Sequence, residues 1–217
     1  MVEFITHNLL WTESPWIVAV LLVAGFIGWF FFKPLFYVTI LLFVFCFYFF
    51  RNPERVCPEA LIDPNILVCP ADGTIVDISY DPHGGFSGYH HKVSIFLSPF
   101  NVHVNWIPIA GTIEKIQYVP GKFMMAFLPK SSELNEHNDV IIAHASGKTI
   151  LLRQIAGTVA RRIVCWVHEG QSVTACQKYG MIKFSSRVDV LLPKDISLAV
   201  QIGQKVYGGK TVFGRLL

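Results

Sequence analysis

The chain has 217 residues, 53% hydrophobic and 15% charged, with a formal net charge of +3 and a mean hydropathy of +0.47. Soluble domains carry about 25% charged residues, so an ordinary soluble globule and a disordered chain are both excluded. The scattered charge is too mild for a nucleic-acid binder.

The excess apolarity lies at the start. Residues 1–50 hold three charges, Glu3, Glu13 and Lys33. Residues 16–32 and 35–50 are uncharged, with Lys33-Pro34 between them. A spanning helix needs about 20 residues, and about 17 at the least. The pattern fits two short spans, one kinked helix, or a re-entrant hairpin dipping into one leaflet. Phe and Trp crowd every face, which leaves no amphipathic stripe for a soluble core. The segment lacks the basic start and small-residue cleavage site of a secretory signal, so it reads as a retained membrane anchor. Arg51 and Arg55 follow at once, and the positive-inside rule is expected to put residues 51–217 on the cytoplasmic side. Cys46, Cys57, Cys69, Cys165 and Cys176 form no CxxC or Cys/His metal spacing and are expected to be reduced thiols, with no metal.

Beyond Pro58 short apolar runs alternate with Gly and Pro. Strands are predicted over 66–69, 74–78, 92–97, 102–107, 112–118, 140–143, 149–155, 163–168, 181–184 and 188–192. A short helical turn is predicted over 156–161. Gly170-Gln171-Ser172-Val173 recurs as Gly203-Gln204-Lys205-Val206, and Tyr179 and Val212 keep the same offset. This echo is typical of hairpins in lipoyl- and biotinyl-like domains. The predicted fold is mostly β: a barrel-sandwich-like domain with lipoyl-like hairpins, preceded by a hydrophobic helical membrane anchor.

Several residues invite chemistry. Asp72, after Pro70 and before Gly73, reads alone as a turn aspartate. His103 lies on an apolar strand, with Asn105 on the same face because side chains repeat every second residue. Arg153, Arg161 and Arg162 suit a phosphate, since guanidinium binds it bidentately. Lys183, in a lipoyl-like hairpin, would suit a modified carrier lysine and hence a non-catalytic carrier domain. A membrane-tethered adaptor is a third reading.

The motifs Phe49-Phe-Arg-Asn-Pro-Glu-Arg55, Cys69-Pro-Ala-Asp-Gly-Thr74, Leu97-Ser-Pro-Phe-Asn-Val-His-Val-Asn105, Asn135-Glu-His-Asn138, Arg153-Gln-Ile-Ala-Gly157 and Lys183-Phe-Ser-Ser-Arg-Val-Asp189 resemble the short, membrane-anchored form of phosphatidylserine decarboxylase. The resemblance covers nearly the whole chain. It implies a proenzyme that splits itself between Ser185 and Ser186 into chains 1–185 and 186–217, which remain associated. Ser186 would attack the preceding carbonyl, with Asp72 and His103 as the activating groups. The ester would then eliminate, leaving a pyruvoyl group derived from Ser186. That group would form a Schiff base with phosphatidylserine in the bilayer and take up the electrons left by CO₂, giving phosphatidylethanolamine. The resemblance further implies substrate contacts from Asn105, Asn138, Arg153 and Arg161, no bound metal, no nucleic acid, and allows a homodimer.

Two departures from the family pattern stand out. Ser185 replaces the family's glycine, at a conformational cost of about 1–2 kcal/mol if the backbone is left-handed there, so slowed processing is expected. Trp106 stands where the long-form branch has the second histidine of a His-x-x-His pair.

Overall fold

The computed structural model describes residues 7–82, 86, 88–122, 124, 134–157, 162–184 and 186–217. Ser185 and Arg161 lie outside the described residues, as does most of the helical turn expected over 156–161; its first residue, Ala156, ends a strand. The chain divides into two compact units, Met1–Glu54 and Arg55–Leu217.

The first unit is a helical hairpin. A short turn, α1 (Leu10–Glu13), precedes two 17-residue helices, α2 (Pro15–Phe31) and α3 (Lys33–Phe49). Phe32 breaks them apart with extended backbone, and Pro34 starts α3 where its missing N–H costs nothing. The helices lie antiparallel, because Gly25 meets Thr39 while Gly28 meets Phe36. A Cβ on Gly28 would strike the Phe36 backbone, so glycine sets this close approach. Asn8 ties the base of the hairpin through Nδ2 to the Phe47 carbonyl at 2.8 Å. Phe26, Phe30, Phe31, Phe32, Tyr37 and Leu41 stay exposed. At 1.5 Å per residue each helix is roughly 25 Å long, against a hydrocarbon thickness of roughly 30 Å. Among the described residues no helix is long and apolar enough to cross a membrane.

The second unit is mostly β, as predicted. One short helix, α4 (Pro58–Ile62), precedes β1 (Ile66–Val68), β2 (Gly73–Tyr80), β3 (His91–Leu97), β4 (Val104–Trp106), β5 (Gly111–Val119), β6 (His137–Ala143), β7 (Thr149–Ala156), β8 (Arg162–Cys165) and β9 (Ser172–Val173). Then follow β10 (Lys178–Lys183), β11 (Ser186–Leu192), β12 (Ile196–Leu198), β13 (Lys205–Val206) and β14 (Val212–Leu216). An eight-stranded sheet runs β13-β2-β3-β11-β7-β6-β5-β9, beside two three-stranded sheets, β1-β14-β12 and β4-β10-β8. Every pair of named strands among the described residues is antiparallel. The core gathers alternate residues of these strands, such as Ile95, Leu152, Val188 and Val190.

The sequence echo is a structural repeat. Gly170 and Gly203 both take a left-handed φ, which favours glycine. Their N–H groups donate to Ile113 O and Ile75 O, both at 2.8 Å. Gln171 and Gln204 return the contact, accepting from Ile113 N and Ile75 N. Val173 then pairs with Gly111, and Val206 with Gly73.

Candidate active site

One end of the eight-stranded sheet collects the candidate residues. There β2 and β11 begin, β3 and β7 end, and β6 begins: Ser186 pairs with both Leu97 and Ala156, and His137 pairs with Ile155. Asp72 immediately precedes β2, and His103 follows the turn after β3.

Ser186 is fully buried, and its Oγ has no hydrogen-bond partner among the described residues. Its side chain shares the core face with Val188 and Val190, because strand side chains alternate. Two residues earlier Phe184 has a positive, left-handed φ. That backbone is an outlier for a bulky residue and costs about 1–3 kcal/mol. The cost expected at Ser185 lies outside the described residues; the left-handed residue described is Phe184, where β10 leaves one sheet and β11 enters another.

His103 is also fully buried. Its Nδ1 lies 3.0 Å from the Asn101 carbonyl. A carbonyl only accepts, so Nδ1 carries a proton and donates to it. Asn101 is itself fixed, with Oδ1 accepting from Ser98 N and Oγ, both at 2.8 Å. The His103 carbonyl accepts from Ile182 N at 3.3 Å, which sets this residue against the strand that leads into the junction.

Asp72 is buried, and its carboxylate is fully engaged. Oδ1 accepts from Arg55 Nη1 and from Gly208 N at 2.9 Å, while Oδ2 accepts from Arg55 Nη2 at 3.1 Å and Val102 N at 3.4 Å. Arg55 also stacks over the Trp106 ring at 4.8 Å. A Cβ on Gly208 would strike that ring, so only glycine brings this N–H to the carboxylate. Asp72 thus grips the residue just before His103.

Asn105 and Asn138 are buried and joined through a third amide, Gln154. Asn138 Nδ2 donates to Gln154 Oε1 at 3.1 Å, and Gln154 Nε2 donates to Asn105 Oδ1 at 2.9 Å. Arg153 lies elsewhere. It occupies the opposite face of β7, in a bidentate pair with Asp139 at 2.7 and 2.6 Å and 4.6 Å from the Phe86 ring. The geometry therefore separates Arg153 from Ser186. Lys183 is only 6% exposed, where a carrier lysine would need to reach out to its modifying enzyme.

Cysteine chemistry plays no part in this cluster. All five thiols are free, and burial pushes Cys69 up to about 12. Sequence reasoning missed Arg55, Asn101, Gln154 and Gly208 as site residues. Gln154 had a signal: it is the polar member of the core-facing series Ile150, Leu152, Gln154, Ala156.

Comparison with known proteins agrees with the motifs. The phosphatidylserine decarboxylase family model matches residues 42–214. A protein of Desulfotalea psychrophila is 43% identical over 182 residues, covering 83% of this chain and 84% of its own. One of Chlorobium phaeobacteroides is 48% identical over 172 residues, covering 79% of each chain. One of Burkholderia vietnamiensis is 46% identical over 178 residues, covering 81% of each. All three are named phosphatidylserine decarboxylase proenzyme. The buried serine that follows a left-handed Phe184, and the buried histidine held against the strand leading to it, thus sit in a chain that belongs to the phosphatidylserine decarboxylase family.

Proposed function

We propose that the protein decarboxylates phosphatidylserine to phosphatidylethanolamine after cutting itself before Ser186. The observation that carries this reading is the buried Ser186 Oγ at the start of β11, unpartnered among the described residues and within the family's motif. A hydroxyl left without a partner in a dry interior is available to attack its neighbouring carbonyl.

His103 Nε2 takes the Ser186 proton and returns it to the departing amide nitrogen, turning the amide into an ester. A base then removes the Cα proton of residue 186, and the ester leaves as the new carboxylate of residue 185. Water hydrolyses the remaining enamine, releasing ammonia and leaving a pyruvoyl group. Asp72 acts as a positioning residue. It holds Val102 N and, with Arg55, fixes the segment that carries His103. The buried serine fits a group made in place from the chain itself. The pyruvoyl group supplies an electron sink for the carbanion formed as CO₂ departs. Asn105 and Asn138 offer it hydrogen-bonding amides from the neighbouring strands. Processing leaves the two pieces associated, because β11 is paired along its length with β3 and β7.

The helical hairpin serves as the anchor. Its exposed Phe and Leu surface suits lipid, and Lys33 at the tip is satisfied within the hairpin, 3.8 Å over the Trp29 ring and 2.7 Å from its carbonyl. We read it as inserting from the cytoplasmic face of the inner membrane and keeping the second unit near its two-chain substrate. We also read the repeated hairpins as a barrel-sandwich of the lipoyl-like kind.

Ser186→Ala should abolish both chain splitting and decarboxylation, and retained CO₂ release would sink the pyruvoyl reading. Flotation with anionic vesicles should carry the full chain upward, and protein remaining at the bottom would contradict the anchor.

A further inference from the structure

Three amide side chains form a hydrogen-bonded series that joins β6, β7 and β4. Gln154 spends its oxygen on Asn138 and an amide hydrogen on Asn105. Asn105 spends its oxygen on Gln154. Its Nδ2 is then fully buried with no partner among the described residues. Native interiors rarely leave such a donor unmet. Gly180 makes room for the series, since a Cβ there would sit 3.0 Å from Gln154 Nε2.

Gln154, which holds Asn105, lies near the reacting residue. Gln154 pairs with Val188, so Ser186 is its diagonal neighbour on the same core face, within reach of long side chains. Two unmet polar groups, Ser186 Oγ and Asn105 Nδ2, are therefore both buried on residues that neighbour Gln154, and one is a nucleophile while the other is a donor.

We propose that Gln154 is a positioning residue that turns Asn105 so that its Nδ2 donates to an anionic oxygen formed or bound next to residue 186. The oxygen has two sources, both resting on the function given above: the oxyanion created when Ser186 attacks, and the carboxylate of the serine head group. In either case the donor is placed before the charge arrives, which is how fixed hydrogen-bond donors stabilise oxyanions.

The test follows chain splitting of the full-length protein by pulse-labelling, with thermal melting as the folding control. Asn105→Asp keeps an acceptor for Gln154 but removes the donor, and should slow splitting about 10²-fold. Gln154→Glu still accepts from Asn138 but releases Asn105, and should slow splitting about tenfold, with the melting temperature retained. The double variant should be no slower than Asn105→Asp alone, because both changes remove one device. A purely packing role would instead multiply the two effects. Once processed, each variant is assayed on phosphatidylserine vesicles. A raised KM with a normal splitting rate assigns the donor to the head-group carboxylate, and slowed splitting assigns it to the oxyanion. Wild-type behaviour of Gln154→Glu in both assays, or multiplied effects in the double variant, would overturn the proposal. Failure of the wild-type chain to split would instead overturn the function on which it rests.

Discussion

The segment around Gly73 and the segment around Gly111 make the same contacts. Each glycine opens a long strand, pairs with the valine of a Gly-Gln-x-Val motif, and packs against the carbonyl of a neighbouring strand, Phe96 O or Ala143 O. The residue before each glycine differs: Asp72 in one repeat, Ala110 in the other. The backbone therefore needs the glycine but not the acid. Asp72 is the addition, and with Arg55 and Gly208 it turns one of two equivalent corners into part of a site.

The largest effect should separate the two corners. Asp72→Asn keeps the side chain's size but loses the ion pair with Arg55. It should slow chain splitting about 10²-fold, as expected when a reacting group is misplaced by about 1 Å. Ala110→Ser should split at the wild-type rate. Equal rates for Asp72→Asn and the wild type would return Asp72 to an ordinary turn residue.

A second pair of variants tests whether the corners are structurally equal. Gly73→Ala and Gly111→Ala both force a Cβ against a carbonyl oxygen. Each should destabilise the protein by about 1–3 kcal/mol in denaturant titration. A loss at one position alone would break the equivalence.

The smallest effect concerns Cys69, which occupies in the first repeat the place of Ile107 in the second: Cys69 N donates to Thr211 O and Ile107 N to Gln177 O. It behaves as a core apolar residue. With its thiol pushed up to about 12 by burial, the thiolate is scarce below that pH. Alkylation of Cys69 should stay slow from pH 7 to 9 and appear only on unfolding. Rapid labelling at pH 8 would show the corner to be open.

Much of this was legible in the residues. Short apolar runs located ten of the fourteen strands described, and the Gly-Gln-x-Val echo marked the repeat. The strands missed were Ser172–Val173, Ile196–Leu198, Lys205–Val206 and Val212–Leu216. Two- and three-residue strands show no period, and Gly214 interrupts the last of them where a Cβ would crowd Ser197 O at 2.6 Å. The motifs singled out Ser186, His103 and Asp72, and all three are buried in the fold. What could not be read was which partner each polar group chooses. Arg153 looked free for a phosphate but is spent on Asp139, while Gln154 looked like an ordinary strand residue and joins Asn105 to Asn138. Such choices depend on strand register across long separations, which composition and spacing do not carry.

The most direct test of the account is the intact mass of the purified wild-type protein. Two chains are expected, residues 1–185 and 186–217, with the second carrying a pyruvoyl group in place of an amino-terminal serine. A single 217-residue chain with an unmodified Ser186, in a preparation that still releases CO₂ from phosphatidylserine, would contradict it.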